Sequence, residues 1–519
     1  MADLIVRTEP LGGSPLAALA LSADADEQDW FVPAPMEPAA WTARVVATQG
    51  RFKDAQWYDA LRPAFGNAKS AASERLARVA RAGGVVVTTG QQPGLLGGPL
   101  YTLHKALSAL ALADALEQAT GVPVAPVFWA ATDDADIEEA RMVAIAVPGG
   151  VQWLRGPANG PEGTVMGLRA LGDVAAGLEA AVRSAGDAAD PELLAAVRAA
   201  YSEDASVGGA YVTLMRRVLE PLGISVLDAW HDATRTATTP HLRGALASAQ
   251  AIAESLRART AEIEAAGFTP QVREVAGLSL VFSIVGGVKR RIPLSDAGTA
   301  PSVVSGSLSA NVLLRPVVEG LVLPTVAYTA GPGELAYFAQ ATAVADALGV
   351  CAPLGVPRWS ATIIEPHVAR ILERRGLSLD ELSDPHAAET ERARAQVDVH
   401  VSSAIAVLRS TIDSQLGSLE GHADATVPVR AIEGTRLMLH HRIERLERRF
   451  VAAAKRADTE LMGDVGTARG ALRPDGVRQE RVLAWLPLLA RHGEALLASL
   501  RRGAAAHAER LVQGAVAAE

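Results

Sequence analysis

As far as about residue 375, short β-branched runs alternate with longer stretches whose apolar residues recur three and four apart. The runs predict strands at Val85–Thr89, Val124–Ala130, Met142–Val147, Ile224–Asp228, Leu278–Ile284 and Leu321–Tyr328. The amphipathic stretches predict helices at Ser70–Arg81, Pro99–Glu117, Pro191–Leu222, His241–Ala266, Glu334–Leu348 and Ala361–Arg374. Strands alternating with helices point to an α/β fold with a parallel sheet covered on both faces. Ligands of such sheets sit beyond the carboxyl ends of the strands. Three loops fall there: a glycine turn after Thr89, an acidic run after Trp129, and Gly331-Pro332-Gly333-Glu334 after Tyr328.

Beyond residue 375 the strand signal stops. Leu408, Ile412 and Leu419 follow a heptad with Gln415 in one core slot, and a second helix carries Leu439, Ile443, Leu446, Phe450, Ala453 and Ala457. Charged residues from Arg442 to Arg449 flank that second seam. Two such helices predict an antiparallel α-helical coiled coil whose remaining apolar surface is expected to be covered by a second subunit, giving a homodimer, the alternative being an intramolecular role. The expected division is an α/β core over 1–375, a coiled-coil dimerisation domain over 376–475, and a helical segment over 476–519 that packs back on the core.

Composition narrows the function. Hydrophobic residues make up 49% and charged residues 21% of 519, which suits a folded enzyme of more than one domain. The net charge of −9 argues against general nucleic-acid binding. The single cysteine, Cys351, excludes an internal disulfide and a cysteine-rich metal site. No apolar run reaches the roughly 20 residues of a membrane helix, and no signal peptide is evident, so a cytoplasmic protein is expected.

The candidate chemistry lies in the three loops. A strand feeding through glycines into a helix leaves N–H groups free at the positive end of the helix dipole. Gly90, Gln91, Gln92, Gly94, Gly97 and Gly98 are therefore candidates to hold a nucleotide or other anion; the alternative is a tight connection in which the glycines serve packing. The spacing is neither a Walker loop nor a dinucleotide fingerprint. His104 and Lys105 follow one turn into the helix, where the lysine could reach a phosphate held by the loop or equally be a solvated surface residue. Asp133, Asp134 and Asp136 could bind an amine, a ribose or Mg²⁺, or else cap a helix; alternation places Asp134 and Asp136 on one side and Asp133 on the other. Gly331 and Gly333 form a second helix entry. Glu334, Tyr337 and Gln340 follow it, and Arg315, Arg358 and Ser360 are further substrate-binding candidates, an arginine being suited to a carboxylate clamp; the alternatives are a dipole role for Glu334, core hydrogen bonding for Tyr337 and Gln340, and an Arg358 stacked on Trp359. No metal-ligand motif or Ser/His/Asp order appears.

The blocks TTGQQPGLLGGPLYTLHKALSALALA, VPVAPVFWAATDDADIEEA, LSANVLLRPVVEGLVLPTVAYTAGPGELAYFAQ, VPRWSATIIEP and LRPDGVRQERVLAWLPLL together resemble the bacillithiol biosynthesis cysteine-adding enzyme family, BshC. The resemblance implies a Rossmann-like, nucleotidyltransferase-type core with connecting-peptide insertions and a helical coiled-coil dimer domain. It also implies a ligase that joins L-cysteine to glucosaminyl-malate through an amide, the last step of bacillithiol synthesis. Amide formation from a free carboxylate is uphill, which makes ATP the expected cosubstrate and Mg²⁺ compatible with it. On this reading Gly90–Gly98 cradle the phosphates, and Lys105 or His104 stabilises the leaving group. Asp133, Asp134 or Asp136 orients an amine, and Arg315 or Arg358 holds the malate carboxylates. The chain departs from the family's usual Glu-Asp-His-Asp at Ala135. The alternatives are a related ligase for another amino acid or amine, and a dimeric nucleotide- or metabolite-binding protein without turnover.

Overall fold

The computed structural model describes residues 4–22, 29–52, 54–66, 69–157, 159–298, 307–384, 386–423 and 426–514. The chain divides into two compact units, a smaller one built on Ala146–Gln152 and Ile364–Gln479, and a larger one spanning Val6–Ile145, Trp153–Ile363 and Glu480–Glu519.

The larger unit is organised by a five-stranded sheet in the spatial order Gly355–Pro357, Thr325–Ala330, Val85–Gln91, Val124–Ala130, Ser225–Asp228. Every pairing in it is parallel. Val85, Val86 and Val87 are wholly buried, as a β-branched run covered on both faces should be. The helix Leu100–Thr120 crosses from the Val85 strand to the Val124 strand and ends at Gly121, φ 69°, the left-handed conformation that a Cβ disfavours. That helix is apolar all round, because the sheet covers one side and the helix Leu486–Val512 packs on it as well. From the Val85 strand the chain first builds outward through Val124 and Ser225. It then returns to add Thr325–Ala330 on the other side of Val85–Gln91. The strand order therefore reverses between these two neighbours, and their carboxyl ends open a crevice.

Two predicted strands stand outside this sheet. Leu278–Val285 is the centre of a three-stranded antiparallel sheet, between Val288–Pro293 and Ser307–Ala310. Gly286 and Gly287, φ 58° and 82°, make the two-residue turn that folds Leu278–Val285 back on Val288–Pro293. Met142–Val147 likewise lies apart, followed closely by Gly150–Arg155.

Several predicted elements change at their ends. The run Leu321–Val322 closes a helix, Arg315–Val322, and the strand is Thr325–Ala330. Asn311 Oδ1 accepts the N–H groups of Leu313 and Leu314 before that helix, and Pro316 sits in its first turn. The stretch Pro191–Leu222 breaks into Pro191–Ala200, Val207–Leu219 and a short 3₁₀ turn, because Ser206 caps a new helix by accepting from Gly209 N–H. His241–Ala266 lies on two helices, Asp232–Ala247 and Ala249–Ala265. Ala361–Ile364 is extended and only Pro366–Arg375 is helical, since a residue before proline avoids the helical region.

In the smaller unit Val368, Leu382, Val465 and Leu472 are central to a core beside the hairpin of Val399–Glu420 and Val429–Ala457. The hairpin buries Ile405, Ile432, Ile443 and Val451, and its seam carries the ion pairs Arg409–Glu447 and Arg436–Glu420. Leu408, Leu419, Leu446 and Phe450, expected in the seam, face outward with Leu437 and Met438. Among the described residues no helix is long and apolar enough to cross a membrane.

Candidate active site

A cleft of about 710 Å³ opens where the strand order reverses. Gly90, Gln91 and Gln92 come to it from the end of one strand, Gly331, Gly333 and Glu334 from the end of its neighbour, and Asp133, Asp134 and Asp136 from the next strand along. Lys105, Arg315, Tyr337 and Arg358 complete the predicted residues that line it.

The floor is a buried polar network. Lys105 Nζ lies 2.7 Å from Glu334 Oε2 and 3.3 Å from Gln91 Oε1. Tyr328 Oη donates to Glu334 Oε1 at 2.7 Å and accepts from Gly90 N–H at 3.0 Å. Arg315 donates to the hydroxyls of Tyr337 and Tyr328 at 3.2 and 3.4 Å, and stands 3.6 Å from Glu319 Oε2. Burial lowers the Lys105 pKa, against the pull of Glu334. Burial also works against the Glu334 carboxylate, yet Lys105, Arg315 and the Gly331 N–H together hold it below the usual range. Desolvation pushes Glu319 up to about 7 despite Arg315, while Lys105 at 2.7 Å and Arg315 at 3.9 Å both approach the Glu334 carboxylate. Arg315 Nη1 is buried without a hydrogen-bond partner. A Cβ on Gly90 would come within 2.7 Å of it, so only glycine lets the strand end pass the guanidinium.

The acidic segment is a turn, not a strand, since Asp134 N–H donates to Ala131 O. The expected split by alternation is therefore absent, and Asp133, Asp134 and Asp136 all face one cleft. Gln92 donates to Asp134 Oδ2, Ser309 donates to Asp133 Oδ2 at 2.5 Å, and Asp136 accepts from Glu138 N–H as a cap. Glu139 joins them on the cleft wall, its pKa raised by burial and by the charges of Asp136 and Asp134. Among the described residues no group of three or more His, Cys, Asp or Glu is arranged to hold a metal ion.

Six predicted residues lie elsewhere. Gly97 faces Trp485, whose Nε1 donates to Gly97 O at 2.9 Å, and a Cβ there would meet the indole ring at 2.2 Å. Gly94 and Gly98 approach each other so closely that a Cβ on Gly94 would fall 2.7 Å from Gly98 Cα. The amides expected to cradle an anion are spent inside the protein: Gly90 on Tyr328, Gly97 on Gly94 O and Tyr201, Gly98 on Leu95 O, Gly331 on Glu334. Packing is thus the role of Gly94–Gly98. His104 is fully buried, with Nδ1 2.9 Å from Glu480 Oε2, and burial lowers its pKa against the opposing pull of Glu480. Glu480 also takes two hydrogen bonds from Arg358, at 2.7 and 2.8 Å, so His104 reaches the cleft only through Glu480 and Arg358. Gln340 clamps the main chain of Val272 through both amide atoms, and Ser360 is buried with its carbonyl accepting from Glu9 N–H.

The cleft also holds residues that the sequence did not single out: Tyr101, Glu139, Phe282, Lys289, Arg291 and Arg481. The signal for Lys289 and Arg291 was the Val-Gly-Gly-Val hairpin, after which alternation sets both on one face and Arg290, exposed, on the other.

Two family models match the chain. One, described as Bacillithiol biosynthesis BshC, N-terminal Rossmann-like domain, covers residues 9–299 and 302–359. The other, described as Bacillithiol biosynthesis BshC, C-terminal coiled-coil domain, covers residues 361–509. A protein of Solibacter usitatus named "Putative cysteine ligase BshC" is 31% identical over 81% of this chain and 82% of its own. Relatives of the same name from Koribacter versatilis and Salinibacter ruber are 31% and 30% identical, over 83% and 80% of this chain and 84% and 80% of theirs.

Proposed function

Since the chain belongs to the bacillithiol biosynthesis BshC family, we propose that it is an ATP-dependent ligase joining L-cysteine to the amine of glucosaminyl-malate. The observation that carries the reading is the meeting of a cationic floor and an acidic wall at the reversal point of a parallel sheet. ATP first activates the cysteine carboxylate, giving cysteinyl-adenylate and pyrophosphate, or an acyl phosphate and ADP. The amine nitrogen then attacks the carbonyl carbon, and the bond between that carbon and the bridging phosphate oxygen breaks to release AMP or phosphate. The proton lost by the amine passes to a carboxylate of the acidic wall.

The chain's own groups suit these demands. Lys105 and Arg315 both flank Glu334 on the floor, two basic side chains beside one carboxylate where phosphate oxygens would meet them. Glycine at position 90 lets the strand end pass close to Arg315 Nη1, which stands 3.6 Å from Glu319 Oε2. Asp134 and Asp136 face the same space, positioned to hold an ammonium group beside the activated carbonyl. Any Mg²⁺ would arrive with the triphosphate, as no protein cluster is built for it among the described residues. The outward Leu437, Met438, Leu446 and Phe450 support a homodimer through the hairpin. Leu446→Asp with Leu437→Asp should give monomers by light scattering.

Incubating the full chain with cysteine, ATP and glucosaminyl-malate tests the ligase reading. It requires a product of the summed substrate mass less one water, with AMP or ADP identifying the activated species. Absence of that product while ATP and cysteine bind would overturn it. Ala135 on the cleft wall favours one variant of the reading, a different amino acid or amine, for which the same assay with other pairs gives the product.

A further inference from the structure

Of the six cations that line the cleft, all but the exposed Arg481 fall into two kinds. Lys105, Arg315 and Arg358 each stand within 4 Å of a carboxylate of the protein, at Glu334, Glu319 or Glu480. Among the described residues, no carboxylate stands within 4 Å of Lys289 or Arg291. On Val288–Pro293 they sit two apart on the same face, half-buried, with Nζ 4.6 Å and the guanidinium carbon 5.4 Å from the centre of the Phe282 ring. Phe282 is the direct cross-strand neighbour of Arg291, so the antiparallel pairing itself fixes this arrangement. Among the described residues, the one hydrogen bond in which either side chain figures runs from Lys289 Nζ to the main-chain oxygen of Asp133, at 3.2 Å. The Asp133 carboxylate, the nearest acid along that segment, is engaged by Ser309. Burial lowers the Arg291 pKa and no carboxylate offsets it.

A half-buried cation costs solvation free energy, which the Phe282 face and the Asp133 carbonyl offset in part and a bound anion offsets further. We propose that Lys289 and Arg291, held over Phe282, form the subsite for the acidic end of the amine-bearing substrate, and so select a substrate carrying carboxylates. The assignment rests on the ligase reading and replaces the expectation that Arg315 or Arg358 holds those carboxylates. Both of those guanidiniums already have an acid of the protein beside them. The planar guanidinium of Arg291 suits two-point contact with one carboxylate, and the Lys289 ammonium meets the second as a point charge. The sugar would then lie between this subsite and Asp134, its amine toward the acidic wall.

The test uses direct binding, so it does not depend on turnover. Titration calorimetry of the full chain with glucosaminyl-malate compares wild type, Lys289→Gln with Arg291→Gln, and the charge-conserving pair Lys289→Arg with Arg291→Lys. Circular dichroism serves as the folding control. The subsite requires at least a tenfold weaker Kd for glucosaminyl-malate in the glutamine variant, near-wild-type binding in the charge-conserving one, and unchanged affinity of all three for ATP. Glucosamine without malate should bind the three proteins alike. Equal Kd values for glucosaminyl-malate in wild type and the glutamine variant would sink the subsite even if wild type forms product. Tight charge-dependent binding without product would instead uphold the subsite and reject the ligase reading.

Discussion

The two walls of the cleft solve the problem of a buried cation in opposite ways. At the parallel-sheet wall, Lys105, Arg315 and Arg358 are each set against an acid and further tied by Tyr328, Tyr337 and Gln91. At the antiparallel wall, Lys289 and Arg291 rest on an aromatic face with no such acid. The first arrangement is rigid before any ligand arrives, which suits a group that must stabilise charge developing in a transition state. The second leaves its charge uncompensated, which suits recognition of a stable anion. The difference teaches that a cation's role in a cleft is read from its partners as much as from its position.

The largest effect expected on the first wall comes from its packing, not its charge. Gly97→Val drives a side chain into Trp485 at a φ of +85°, and should cost more than about 4 kcal/mol in urea denaturation or prevent folding. A stable variant with weakened ATP affinity would return the Gly94–Gly98 turn to the ligand. Next, Lys105→Met leaves Glu334 without its closest cation and should cost about 3–5 kcal/mol, with loss of turnover. Adding Glu334→Gln should recover most of the stability and none of the activity. Full activity in that double variant would show that the pair is only architecture.

A pH series sharpens the contrast further. The Glu319 pKa is raised in the fold, so its contribution is complete below the unfolded value near 4.5 and is lost as pH rises toward about 7. Glu319→Gln should therefore flatten the fall in stability between pH 5 and 8 by up to about 3 kcal/mol, read from the melting temperature at each pH. Parallel curves for wild type and variant would mean that Glu319 is ionised in the fold throughout. The smallest change belongs to the second wall. Lys289→Gln with Arg291→Gln should shift stability by no more than about 0.5 kcal/mol in either direction, because no carboxylate of the protein loses a partner. A large loss would place those two residues in the architecture as well.

Much of the first wall was legible in the sequence. A β-branched run, a glycine turn and an apolar helix announced the Val85 strand and its crossover, and the acidic run after Trp129 does close the same cleft. Local pattern could not show that Gly97 answers to Trp485, 388 residues away, or that Glu480 stands between His104 and Arg358. Those are contacts of tertiary structure, and the same glycines serve a phosphate or an indole equally well in a sequence. The heptad on the second coiled-coil helix is visible in the sequence, yet of its positions Ile443 is buried while Leu446 and Phe450 face outward, since the seam itself holds the Arg409–Glu447 and Arg436–Glu420 pairs. Lys289-Arg290-Arg291 went unremarked because a basic run on a strand reads as a solvated edge. Only the pairing set by Gly286 and Gly287 shows that two of its three charges turn toward the cleft.

The division of labour between the walls is open to a single crystal. A structure of the chain with a non-hydrolysable ATP analogue and glucosaminyl-malate should show phosphate density beside Gly90, Lys105 and Arg315, and malate carboxylates against Lys289 and Arg291. Phosphates on the Phe282 side, or malate bound by Arg315 or Arg358, would contradict the account.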